Sequence, residues 1–142
     1  MNPYDVNLTF WSDGALKSRF FNMVDAEAPM QYSQDDFWNF PAGMVAMKHF
    51  DLDLDRDNPG TNLRRIETRF LVKVEDDFYG MTYQWNEEGT EAFLVGEEGG
   101  NLDLPVTEGG VTSTQTWRLP SRAECYQCHT ASNNVMLSLI HI

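Results

Sequence analysis

Five consecutive residues, Cys125-Tyr126-Gln127-Cys128-His129, contain both cysteines of the chain and one of its three histidines. Two thiols at i and i+3 on one helical turn can add to the two vinyl groups of a haem, and the imidazole that follows then faces the iron as proximal ligand. No other order of these five residues does this. The pattern points to a covalently held haem c, with Cys125 and Cys128 as the thioether positions and His129 as the iron ligand.

Other uses of two cysteines fit less well. A structural zinc site needs four ligands, and His49 and His141 do not form a second pair by spacing. A dithiol redox pair of the thioredoxin kind follows a strand in a βαβ unit, whereas the flank here is a turn-like Leu119-Pro120. A disulfide between i and i+3 of one helical turn is geometrically awkward.

The motif must be held by a helix, and the preceding residues encode its start. Ser121 after Pro120 is a favoured N-cap, and Glu124 three residues later completes a capping box. A helix starting there places Cys125 and Cys128 on one face, with His129 beside Cys125 at i+4.

Upstream, the first 119 residues read as β structure. From Arg64 to Glu75, Ile66, Thr68, Phe70, Val72 and Val74 alternate with Arg65, Glu67, Arg69 and Lys73, which predicts a half-buried strand with its apolar face inward. Phe78 to Trp85 follows across Asp76-Asp77, and the two runs form the clearest hairpin. Further strands are predicted at Lys17 to Val24, Met44 to Leu54, Ala92 to Val95 and Thr112 to Trp117, separated by Gly-, Asn- and Pro-containing turns. The expected fold is mainly β, an antiparallel β-sandwich or barrel-like module followed by a short helical start at the C-terminus.

Asp51-Leu52-Asp53-Leu54-Asp55-Arg56-Asp57 has the alternating carboxylates of a calcium loop. An EF-hand beginning at Asp51 would require a glycine and a glutamate where the chain has Arg56 and Asn62. Phe50, Leu52 and Leu54 alternate with the aspartates, so the run is expected to be a strand with a solvated acidic face. The acidic pairs Glu87-Glu88, Glu97-Glu98 and Asp76-Asp77 flank turns and are expected to be solvated; no catalytic residue is assigned. His49 is expected to be a sheet histidine.

A chain of 142 residues with 42% apolar content has ample material for a single core. Ten basic against 22 acidic residues give a formal charge of −12, which excludes nucleic acid as a partner. No apolar run is long enough to span a bilayer. Covalent haem attachment is extracytoplasmic in bacteria, so a periplasmic location is expected. Residues 1–30 lack a basic, apolar, small-residue leader, and only thirteen residues follow His129. A mature segment or internal fragment is therefore expected, with 137–142 resembling adapter read-through and not native sequence. Met136, seven residues past His129, would be carried along the helix axis and not across the haem, and His141 lies in that tail. The distal iron ligand is accordingly expected beyond residue 142 or on another domain.

Several blocks together carry a family resemblance. Leu8-Thr9-Phe10-Trp11-Ser12-Asp13-Gly14-Ala15-Leu16-Lys17, Trp38-Asn39-Phe40-Pro41-Ala42-Gly43, Arg64 to Val72, Tyr79-Gly80-Met81-Thr82-Tyr83-Gln84-Trp85-Asn86 and Trp117 to His129 recur in order. In this the chain resembles a bacterial family of exported c-type cytochrome-associated proteins, uncharacterised or di-haem in type. The resemblance spans most of residues 4–136 and implies a β-rich module, 1–119, followed by a haem-attachment segment, 120–142, of a truncated cytochrome c domain. It implies the same roles for Cys125, Cys128 and His129, and the chain departs from the family pattern after Met136. The expected function is electron transfer in the periplasm through haem c with redox partner proteins, as a carrier or oxidoreductase component and not a stand-alone enzyme. The alternative is a substrate- or partner-binding accessory module of a larger exported oxidoreductase.

Overall fold

The computed structural model describes residues 1–6, 9–25, 27–34 and 38–129. Six antiparallel strands form one sheet in chain order: β1 (Asn2–Tyr4), β2 (Leu16–Asn22), β3 (Val45–Asp53), β4 (Leu63–Val74), β5 (Asp77–Trp85) and β6 (Ala92–Leu94). A separate hairpin follows, β7 (Gly100–Glu108) and β8 (Val111–Leu119), and then one short helix, α1 (Arg122–Tyr126). The mainly β, antiparallel fold expected from the sequence is the fold observed.

The hairpin forms a second layer over part of one sheet face. Leu104, Val106, Trp117 and Leu119 pack against Phe50, Leu52, Leu54 and Ile66 in one buried cluster, with the Phe50 and Trp117 rings edge-on at 5.7 Å. A second cluster joins Phe40, Met44, Ala46 and Phe78. α1 and the chain around it lie over the sheet where the hairpin does not reach.

Two strands were not foreseen. β1 is only three residues long and contains Pro3; β7 contains Pro105 and two acidic residues, which weaken a strand signature. β7 forms because its partner is close in sequence: Gly109-Gly110, with φ of 63° and 72°, supplies the left-handed two-residue turn that a tight hairpin needs.

The expected facing of β4 is reversed. Residues directly opposed in an antiparallel pair share a face, so Glu67, Arg69, Leu71 and Lys73 lie on the covered side with Phe50, Lys48 and Ala46. Glu67 is 0% and Lys73 2% exposed, whereas Val74 is 51% exposed. A register shift at Phe50/Asp51 inserts Ile66 as an extra residue, so Ile66 and Glu67 are both buried although adjacent. Alternation alone cannot reveal which face is covered, and the bulge breaks the alternation itself.

The acidic run is not a solvated strand face. β3 ends at Asp53, and Asp51 is buried against Arg65 at 2.9 Å. Asp53 accepts from the Gly60 amide at 2.6 Å, and Asp55 accepts from the amides of Asp57 and Asn58. Asp57 takes the amides of Gly109 and Gly110, both at 2.7 Å, which fastens the β3–β4 loop to the tip of the hairpin. The carboxylates are occupied in holding loops. Glu87, Glu88, Glu97, Glu98, Asp76 and Asp77 are exposed.

Candidate functional site

α1 is a single turn and cannot persist unaided, since helices of this length are unstable in water. Its ends and its underside show what holds it. The Ser121 side chain accepts from the Glu124 amide at 3.2 Å, and Glu124 accepts from the Ser121 amide at 2.7 Å, closing the expected capping box. The Glu124 carboxylate also takes a two-pronged ion pair from Arg118 at the end of β8, at 2.8 and 3.1 Å. That pairing holds its carboxyl well below the usual range, at about 2. From the helix, the Arg122 guanidinium reaches the ring of Tyr79 on β5 and stacks on it at 4.0 Å. Next to Tyr79, Gly80 leaves the sheet bare: a Cβ there would lie 2.9 Å from Cys125 Cβ and 3.1 Å from its Sγ. Cys125 occupies the space that the missing side chain vacates.

After α1 the backbone continues to curl, with the His129 amide donating to the Cys125 carbonyl at 3.0 Å. Cys125, Cys128 and His129 consequently line one cavity of about 190 Å³. Both thiols are free; Cys125 is half-buried and Cys128 exposed. Burial pushes the Cys125 thiol up, while Arg69 and the Thr82 hydroxyl pull the other way. A protonated, packed thiol is unlike the low-pKa thiolate of a redox-active dithiol.

The opposite wall is the sheet itself. Ala46 and Leu71 give it an apolar part, and Pro120, between β8 and α1, adds to the lining. Tyr4, Lys48 and Arg69 also line it, and the strand register explains why. Tyr4 pairs with Arg19, Arg19 with Lys48, Lys48 with Arg69 and Arg69 with Thr82, so five residues from five strands form one cross-strand row. Three adjacent members of that row are cations. Lys48 is lowered to about 8, first by burial and then by Arg19, Arg69 and Lys17. Arg19 and Arg69 each keep a buried Nε without a hydrogen-bond partner. Glu67 pairs with Arg69, and burial raises the Glu67 carboxyl despite that partner.

Two thiols, an imidazole and an apolar wall around one cavity are the donor set that a c-type haem requires. The cavity is smaller than the roughly 300–1,000 Å³ of sites that enclose a ligand. It can take an edge of a flat macrocycle and not the whole of it. Among the described residues no three His, Cys, Asp or Glu side chains converge as a metal-ligand set. Haem does not need one, because four of its iron ligands are its own nitrogens.

His49 sits on β3 one residue from Lys48, so alternation turns it to the opposite face of the sheet. There its Nδ1 lies 2.6 Å from Thr68 Oγ1 and its ring meets Phe20 edge-on at 5.8 Å. Met136 and His141, weighed as distal ligands, lie outside the described residues, as does 130–142 generally. Sequence reasoning missed Gly80, Arg118 and the cationic row. Each cation was visible as a polar position in an alternating strand; only the register makes them neighbours. Among the described residues no helix is long and apolar enough to cross a membrane. Comparison of the chain with family models, with curated proteins and with solved structures found no match to any of them.

Proposed function

We propose that this chain carries a covalent haem c and transfers single electrons outside the cytoplasm, as a carrier or as the haem-bearing component of a larger oxidoreductase. The observation that supports this reading above the rest is that Cys125, Cys128 and His129 line the same cavity, against a sheet wall that is apolar at Ala46 and Leu71. When bound, the haem supplies a one-electron couple at its iron. The chain's own part is to hold and orient. Cys125, seated on Gly80, and Cys128 would hold the macrocycle at one edge, and His129 would supply a nitrogen to its iron. The capped turn and the Arg118–Glu124 pair set the direction of all three side chains. Ala46, Leu71 and Pro120 would shield the bound edge from water.

Single substitutions test the assignment. Cys125→Ala and Cys128→Ala, each matured with cytochrome-assembly machinery, are expected to retain one thioether, and the pyridine haemochrome band moves to longer wavelength as one vinyl group is left intact. Unchanged spectra in both variants would contradict the assigned attachment. The accessory-module reading is favoured by one feature, the exposure of Trp11 (81%), Tyr32 (70%), Phe93 and Leu94, which gives a partner or substrate aromatic and apolar surface to grip.

A further inference from the structure

The hairpin and α1 cover one face of the six-stranded sheet. Register defines the other: Phe20, Met47, Phe70 and Met81 are opposed in turn across β2 to β5, and alternation adds Tyr83 and Trp85 further along β5. All six are half-buried, and neither buried cluster contains any of them. An antiparallel sheet face that meets water ordinarily presents polar side chains, whereas this one presents aromatic rings and thioethers. The polar groups set among them are already paired. Thr68 lies 2.6 Å from His49 Nδ1 and accepts from the Trp85 indole at 2.8 Å, and Arg65 holds Asp51 at 2.9 Å. Covering this surface strands none of these groups.

Charge around the face selects its occupant. The turns at the two ends of β5 carry exposed carboxylates, Glu75, Asp76 and Asp77 at its start and Glu87 and Glu88 beyond its end. Cations are placed elsewhere: Lys17, Arg19, Lys48, Arg69 and Lys73 belong to the covered face by register, and Arg65, on the open face, is taken by Asp51. Arg122 reaches only the border, at Tyr79. Four strands about 4.8 Å apart, with alternate residues about 6.7 Å apart along them, give an apolar area on the order of 400 Å², near half of one side of a standard interface. An occupant of ordinary size therefore meets the carboxylates as well. A second copy brings the same acidic turns and its own charge of −12, which sets like charges together. We propose that this face docks a protein partner whose apolar contact patch is flanked by lysine and arginine side chains. Docking here is independent of the haem, whose attachment segment packs on Gly80 at the other side of the sheet.

Two synthetic β-hairpin peptides with the same leucine and valine face, one flanked by lysines and the other by glutamates, serve as probes of the full chain. By fluorescence anisotropy the lysine-flanked peptide is expected to bind at least about tenfold more tightly than the other. Phe70→Ser is expected to weaken that binding about tenfold, whereas Phe93→Ser, at an exposed position of β6 that alternation turns to the other face, leaves it within about twofold. Equal binding of the two peptides overturns the proposal, as does an absence of binding by both. Binding of the lysine-flanked peptide that Phe70→Ser leaves unchanged is attraction to net charge alone and overturns it too. A dimer seen in sedimentation and lost in Phe70→Ser makes a second copy the occupant, which also counts against a basic partner. Cross-linking decides the matter even if Phe70→Ser fails to fold: a benzophenone at the apolar centre of the lysine-flanked peptide is expected to attach to Met47 or Met81 of the unsubstituted chain, and attachment elsewhere alone overturns the docking face.

Discussion

Gly80 and Lys48 carry opposite burdens at the site: one makes room, the other fills it with charge. A side chain at residue 80 would overlap Cys125, whose Cβ is 2.9 Å from the added Cβ position. Gly80→Val is therefore expected to lift α1 off β5, at a cost of about 1–3 kcal/mol in overpacking. Urea denaturation reads the loss, and faster alkylation of Cys125 reads the displacement. Lys48 gives a prediction with a sign. Its folded value of about 8 lies below the unfolded value, so between the two the folded chain binds fewer protons than the unfolded one. Stability attributable to Lys48 is lowest below pH 8 and rises as pH climbs towards about 10.4. Measured as the difference between the unsubstituted chain and Lys48→Met, stability is expected to increase across that window by up to about 3 kcal/mol. A flat difference would mean that the ammonium is solvated.

The elements that matter are the shortest ones. α1 depends on its cap, so Ser121→Ala is expected to cost about 1 kcal/mol. Hydrogen exchange at the Cys125, Cys128 and His129 amides quickens, while the β3–β4 ladder stays protected. At the other end of the molecule, Asp57→Ala removes two charge-assisted bonds to the Gly109-Gly110 turn. A loss of about 1.5–3 kcal/mol for each such bond sets the upper range, and exposure of Asp57 reduces it. Guanidinium denaturation with an unchanged slope is the expected form of the result. These elements also mark what sequence could show. The capping box was legible because it is written within four residues. The middle strands β3 to β5 were legible because they are long and alternate. β7 was not, since Pro105 and its acidic residues hide a strand that Trp117 and Leu119 on β8 help to bury. The inward turn of Glu67, Arg69 and Lys73 was hidden as well: period two tells which residues share a face, and only the covering hairpin and helix tell which face is inside.

For the molecule as a whole, charge is distributed against its average. Acidic side chains cover exposed turns, whereas Lys48 and Arg69 line the cavity under the motif-bearing segment, with Arg19 and Lys17 on the neighbouring strand. The motif could be read from five letters, whereas its setting required register over five strands, from Tyr4 to Thr82. That setting gives the haem reading its physical content, because thiols, imidazole, apolar wall and cations meet in one place. The central claim is the covalent haem, and intact mass spectrometry of the full chain, co-expressed with cytochrome maturation machinery and denatured before measurement, tests it most directly. The expected result is a mass increased by one haem and a pyridine haemochrome of c type. A chain at its unmodified mass, or haem that leaves into acidified organic solvent, would contradict it.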